Sequence, residues 1–268
     1  MVQENAYIIS GGVQGKTRLN TLSDVLYPYT SALLKSCGLR EGHTMLDLGC
    51  GGGNVAMLAA SIVDDSGGVT AVDFDQHIVH LARLDAQQND IDNVVFQTAS
   101  AYEINFSNEF DMAYARFLLS HLQEPANALA RMVQGVKPGG KVVVEDVQFS
   151  GHFSFPACTA FDTYVRYYGE AARNNRQNAE IGTELVGLFR DAGLRHVGFD
   201  VIQPSFSSGG GKWMGWLTLD RIKDTLITQG ISSPEDISGL LNEIEAFTND
   251  ESTIMSLPRI FRVWGTKR

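Results

Sequence analysis

Gly49-Cys50-Gly51-Gly52-Gly53 follows a short apolar run, Met45-Leu46-Asp47-Leu48, and leads into a helical pattern from Asn54 onward. A strand that turns this tightly into a helix needs glycine. The turn uses backbone angles closed to residues with a Cβ, and a ligand can then lie against bare backbone. Asp47 stands just before the turn, where a phosphate-binding loop would avoid negative charge, so the pattern points to a ligand carrying positive charge. Asp73 ends the next apolar run and is placed to accept hydrogen bonds from both hydroxyls of a ribose. A dinucleotide loop would want glycine where Asn54 stands, which puts a nicotinamide ligand, and an oxidoreductase built on it, second. His121, His152, Glu145 and Asp146 are the candidates for moving a proton, and none is singled out as catalytic. The aromatic stretch from Phe153 through Phe161, Tyr164 and Tyr168 suits the wall of a pocket for a flat or apolar molecule, with Trp213 and Trp216 as a second wall.

The elements that must hold these groups alternate. Strands are expected at 44–48, 69–73, 93–97, 110–115 and 141–145, with helices at 54–63, 75–89 and from Pro125. Pro125 suits the first turn of its helix, which stops before Pro138-Gly139-Gly140. Near-continuous apolar strands alternating with helices suit a doubly wound, mostly parallel α/β sheet covered on both faces, with ligands at the carboxyl ends of its strands. Residues 1–19 read as a leader or lid. A helix is expected from Thr21, with Thr21 and Asp24 as a capping pair and Pro28 as a kink. The core spans 20–150. The remainder, 151–268, completes the sheet and carries helical substrate-cap insertions at 151–180 and 204–250, with strands near 194–202 and 257–264. Ser207-Ser208-Gly209-Gly210-Gly211 is a hinge or lid candidate.

The chain has 268 residues, 44% of them hydrophobic, enough for one large domain with a sizeable core. Its net charge of −10 disfavours nucleic acid as a partner. Three cysteines (Cys37, Cys50, Cys158) without paired spacing fit neither a disulfide framework nor a metal site. Cys50 reads as small filler in its loop. No apolar run is long enough to cross a bilayer and no signal peptide is evident, so a cytoplasmic protein is expected.

Leu46–Gly53, Val72-Asp73, Phe110-Asp111, Ala115–Leu122 and Val136–Gly140 together resemble the ordered motifs of class I S-adenosylmethionine-dependent methyltransferases, closest to the quinone-biosynthesis-like branch that methylates small molecules. The resemblance covers about 20–150 and the closing strand. It implies a seven-stranded Rossmann-like sheet, S-adenosylmethionine as cofactor and a small-molecule methyl acceptor, with the oligomeric state open and a homodimer among the options. A non-catalytic module that only binds the cofactor is the other rival. The backbone of Gly49, Cys50 and Gly51 would lie along the methionine part, and Asp47 would hold that loop and place the amino group. Asp73 would take the ribose, Phe74 would pack on the adenine, and Ser100 and Ala101 would border the adenine amine. Family members usually carry an acid at the Ser100 position. Arg116 would edge the cofactor near the reaction centre, and Tyr7 and Arg18 would close over the methionine carboxylate.

Overall fold

The computed structural model describes residues 13–268, and their side chains from Arg18 onward. In chain order these form α1 (Val13–Ser36), β1 (Thr44–Leu48), α2 (Asn54–Val63), β2 (Gly68–Asp73), α3 (Gln76–Gln88), β3 (Val94–Thr98), β4 (Phe110–Arg116), α4 (Pro125–Gly135) and β5 (Val136–Gln148). There follow β6 (Ser154–Phe155), α5 (Thr159–Asn174), α6 (Leu185–Asp191), β7 (Arg195–Ile202), β8 (Ser205–Phe206), α7 (Met214–Thr228), α8 (Pro234–Asn249), β9 (Ile254–Ser256) and β10 (Arg259–Thr266).

Seven strands form one sheet in the order β3-β2-β1-β4-β5-β10-β7. β10 runs antiparallel to both its neighbours, β5 and β7, whereas the other pairs are parallel. This is the doubly wound, mostly parallel sheet expected. Apolar strand residues supply the core: Met45, Met112 and Val143 face one helical layer, while Leu46, Ala113 and Val144 face the other. The alternation follows from the two-residue repeat of a strand buried on both faces. Helix starts follow local chemistry. Asp75 caps α3 by accepting from the amides of His77 (2.8 Å) and Ile78 (3.3 Å), and Ser233 caps α8 by accepting from Asp236 N at 3.1 Å, with Pro234 in the first turn.

Three expectations change. α1 begins at Val13, so Thr21 lies inside a helix and residues 13–19 of the supposed leader belong to α1. β5 begins at Val136 rather than 141, with its pairing to β4 shifting register between Phe110 and Met112. The cap, expected as helical, also holds a second, antiparallel sheet of order β6-β9-β8. Each of its strands is two or three residues long, too short to carry an alternating apolar pattern.

Candidate functional site: a cavity with two chemically distinct ends

The turn after β1 sits at the carboxyl edge of the sheet. Gly49 (φ +75°) and Gly53 (φ +78°) both occupy the left-handed region. Space is as restrictive as angle there: a Cβ on Gly49 would lie 2.9 Å from Leu118 Cδ1, and one on Gly53 would lie 2.8 Å from the Phe96 ring. Asp73 fixes the loop from the neighbouring strand. Its Oδ2 accepts from Gly51 N at 2.9 Å and its Oδ1 from Asp75 N at 3.1 Å. Burial raises its pKa against the opposing effect of those amides. Asp47 is 2% exposed, and its Oδ2 has no hydrogen-bond partner. Burial pushes its pKa up to about 7, with Arg116 opposing and Asp73 adding to the rise. Cys50 is buried in the loop, where burial first and then the Asp47 and Asp73 charges hold its thiol protonated.

A cavity of about 1270 Å³ opens on this turn and extends under the cap. All nine residues expected at the cofactor, Asp47, Gly49, Cys50, Gly51, Asp73, Phe74, Ser100, Ala101 and Arg116, line it. Phe74 is 48% exposed, an aromatic face open to a ligand. Ser100 Oγ accepts from Tyr102 N at 3.3 Å, so part of its polar capacity serves its own turn. Arg116 donates to Thr30 Oγ1 of α1 at 3.2 Å. The next residue, Phe117, has φ +53°, a conformation costly for a bulky side chain and characteristic of functional edges. Arg18 also lines the cavity, but Tyr7 lies outside the described residues.

The far end is built by the cap. Phe149 stacks on Tyr168 with ring centroids 3.7 Å apart and meets Tyr164 edge-on at 5.8 Å. All three rings line the cavity together with His121, His152 and Thr218. His152 Nδ1 lies 2.7 Å from Phe149 O. A carbonyl only accepts, so that nitrogen carries the proton and Nε2 is left as an acceptor. Burial lowers the pKa of His152 to about 4, and burial together with the Arg18 charge lowers that of His121 to about 3. Both rings are therefore neutral at pH 7.

Several expected site residues are elsewhere. Glu145 is fully buried beneath the site and does not line the cavity; its Oε1 accepts from Thr30 Oγ1 at 2.9 Å and from Tyr114 Oη at 2.6 Å. Asp146 is likewise buried, accepting from the amides of Ser120 (3.0 Å) and Val147 (2.8 Å). Neither is placed to take a proton from a ligand. Phe153 and Phe155 face outward at 43% and 66% exposure, and Phe161 packs in the cap core. Trp213 and Trp216 pack edge-to-face on each other and do not line the cavity, whereas Met214 and Thr218 of α7 do. The glycine-rich 207–211 segment, the hinge or lid candidate, is bridged to the chain after α8. The buried Lys212 ammonium donates to Ser207 O at 3.0 Å and Asp250 O at 2.6 Å. Sequence reasoning gave no role to Phe117, although it lies in the Ala115–Leu122 run, and missed Phe149, Gln177 and Thr218, which carry no local motif. Only their position relative to the strand ends brings them in.

Among the described residues no group of three or more His, Cys, Asp or Glu side chains gathers as a metal site, and no helix is long and apolar enough to cross a membrane. The chain is 28% identical over 174 residues to an uncharacterized 37.1 kDa protein from a Streptomyces fradiae transposon, covering 64% of this chain and 49% of that protein. It is 29% identical over 175 residues to the ubiquinone/menaquinone biosynthesis C-methyltransferase UbiE of Vibrio parahaemolyticus, covering 59% of this chain and 67% of the relative. It thus spans about half to two thirds of the length of these relatives. The fold is shared with phosphoethanolamine N-methyltransferase 2 of Haemonchus contortus, solved with phosphomonomethylethanolamine and S-adenosylhomocysteine. That likeness has a TM-score of 0.60 at 18% identity and covers 95% of this chain and 58% of that one. A family profile described as a methyltransferase domain matches residues 39–193. With the match covering more than half of its length, on a seven-stranded sheet turning at a glycine loop, the chain belongs to the class I S-adenosylmethionine-dependent methyltransferases.

Proposed function

We propose that the protein transfers the methyl group of S-adenosylmethionine to a small acceptor with a flat or apolar body, through an oxygen, carbon or nitrogen of that acceptor. One observation carries this reading: a single cavity runs from the glycine turn to the aromatic end, so cofactor and acceptor would share one space. The residues fit the cofactor. Asp47 is a buried carboxylate with an unpartnered oxygen, which favours a ligand bringing positive charge. Asp73 accepts one hydrogen bond at each oxygen and keeps lone pairs for ribose hydroxyls. Phe74 offers its face to the adenine, Ser100 and Ala101 border the adenine amine, the Gly49–Gly51 backbone runs along the methionine part, and Arg116 edges the reaction end.

When bound, S-adenosylmethionine supplies a methyl group already activated on a sulfonium, so the chain's own task is alignment and exclusion of water. Neither cavity histidine is a strong base, because groups with pKa values near 3 and 4 take up protons poorly at pH 7. The C-methylation named for the Vibrio relative fits an aromatic chamber and makes a ring carbon one candidate target. Three free thiols, two of them buried, suit a reducing compartment, and we place the protein in the cytoplasm. The net charge of −10 weighs against nucleic acid as the acceptor.

Titration of the purified protein with S-adenosylhomocysteine and NADH tests the cofactor. Binding of the former alone is expected; tight NADH binding with no response to the methionine compounds would overturn the reading. S-adenosylmethionine that binds without turnover across a broad acceptor panel would instead indicate a non-catalytic binding module.

A further inference from the structure

The two ends of the cavity differ in charge. Around the glycine turn the charged neighbours of Asp47 are Arg116 and Asp73, and those of Cys50 are Asp47 and Asp73. At the cap end, the Arg18 charge acts on both His121 and Tyr164. Arg18 is half-buried on α1 and lines the cavity. Its Nε donates to Thr218 Oγ1 of α7 at 3.0 Å, and no carboxylate pairs with it among the described residues. The bond to Thr218 directs the guanidinium toward the cap. The next residue, Leu19, is the one that approaches the glycine turn, with its Cδ1 3.7 Å from where a Gly51 Cβ would stand. Thr218 is fixed in turn, its hydroxyl donating to Met214 O at 2.7 Å. An anchored guanidinium in an aromatic-lined cavity, with no acid among the described residues paired to its remaining donors, is a site for a negative group.

We propose that Arg18 holds the negative charge of an anionic methyl acceptor, a carboxylate or ionised hydroxyl on a flat apolar frame, at the cap end of the cavity. This rests on the methyl-transfer reading and adds the charge of the acceptor. It also reverses the expectation from overall composition, since a net charge of −10 would favour neutral or cationic acceptors. Arg18 brings a positive charge to the cap end, and a bound ligand responds to nearby charge before distant charge. An acceptor that arrives as an anion, or is kept as one by Arg18, needs no strong base beside it, which agrees with the discharged histidines.

The test is calorimetric titration of the full chain, first with S-adenosylhomocysteine and then, saturated with it, with 2-naphthoate and its neutral counterpart 2-naphthamide. The unmodified protein should prefer naphthoate by about tenfold or more, the scale of one charge-assisted hydrogen bond. Arg18→Met should abolish that preference, Arg18→Lys should keep part of it, and both should bind S-adenosylhomocysteine within about twofold of the original. A preference that survives in Arg18→Met, alongside weakened S-adenosylhomocysteine binding, would assign the guanidinium to the cofactor's own carboxylate and overturn the proposal. Equal binding of the two probes, or binding of neither, by protein that holds S-adenosylhomocysteine would overturn it while leaving methyl transfer intact. Failure to bind S-adenosylhomocysteine at all would overturn both. Should Arg18→Met fold poorly, Thr218→Val, which frees the guanidinium without removing it, should weaken naphthoate selectively; unchanged selectivity there would count against the site.

Discussion

The glycine-turn end and the cap end of the cavity solve opposite electrostatic problems with similar materials. At the turn, carboxylates are buried (Asp47) or half-buried (Asp73) beside bare backbone, with Arg116 as the nearby cation. At the cap, aromatic rings surround two histidines that burial has discharged, and Arg18 is the nearby cation. Burial acts in the same direction on both, against the charged form. What differs is which sign each end is left ready to receive. The turn is unfinished without a cation, and the cap end is unfinished without an anion.

The two ends should come apart under mutation. The largest effect is expected on folding: Phe149→Ala removes a ring 7% exposed and stacked on Tyr168, at a cost of about 3–5 kcal/mol in denaturant unfolding. Protein that remains folded should still bind S-adenosylhomocysteine normally. A large loss of affinity would mean that the ends are one mechanical unit. Next, Asp73→Ala should weaken S-adenosylhomocysteine by about 1–3 kcal/mol through lost charge-assisted hydrogen bonds, leaving the naphthoate preference of the loaded protein untouched. Unchanged cofactor affinity would show that the ribose sits elsewhere.

A smaller effect concerns pH. Asp47 and Asp146 have folded-state pKa values raised to about 7 and about 6. A raised carboxyl pKa contributes stability that is fully present below the unfolded value and is lost as pH rises through the folded value. The unliganded protein should therefore melt at a higher temperature near pH 5 than near pH 8, and Asp47→Asn should flatten that dependence. For cofactor affinity the sign reverses, because a cationic ligand favours the ionised carboxylate: binding should weaken as pH falls below about 7. A flat affinity profile from pH 5.5 to 8 would separate Asp47 from the ligand. The smallest effect is a gain. Ser100→Asp should tighten S-adenosylhomocysteine by about twofold to tenfold through a stronger acceptor for the adenine amine, with no change at the cap end.

The same division explains what was legible in the sequence. The turn end is local: Asp47, the glycines and Asp73 sit at the ends of adjacent strands, and strand, glycine turn and helix follow one another in the chain. Expected and observed boundaries agree within a residue or so for β1, α2, β2 and α3 because apolar period and caps point the same way there. The cap end is assembled from α1, the segment after β5, α5 and α7, far apart in the chain. Tyr164 and Thr218 meet across it, yet neither helix carries a mark of its inner face beyond ordinary amphipathicity. Phe153 and Phe155 were as plausible as Phe149 by residue type. A two-residue strand, Ser154–Phe155, leaves no alternating pattern from which their outward direction could be read. Arg18 was singled out, but the partner that fixes its direction, Thr218, lies 200 positions away.

The placement of β10 between β5 and β7 bears on how the molecule is assembled in time. Among the described residues β7 pairs in the large sheet with β10 alone, and β5 has an open edge until β10 arrives. A nascent chain released as far as residue 202 would hold the glycine turn and its parallel strands, yet carry β7 unpaired and the cap half-built. Pairings of long sequence separation form slowly, and unpaired edges invite aggregation. The cofactor end can mature early, while the acceptor end is completed only when residues 259–266 slot into the sheet. Ligands that stabilise the first end should therefore shorten the time that the unpaired edge is exposed.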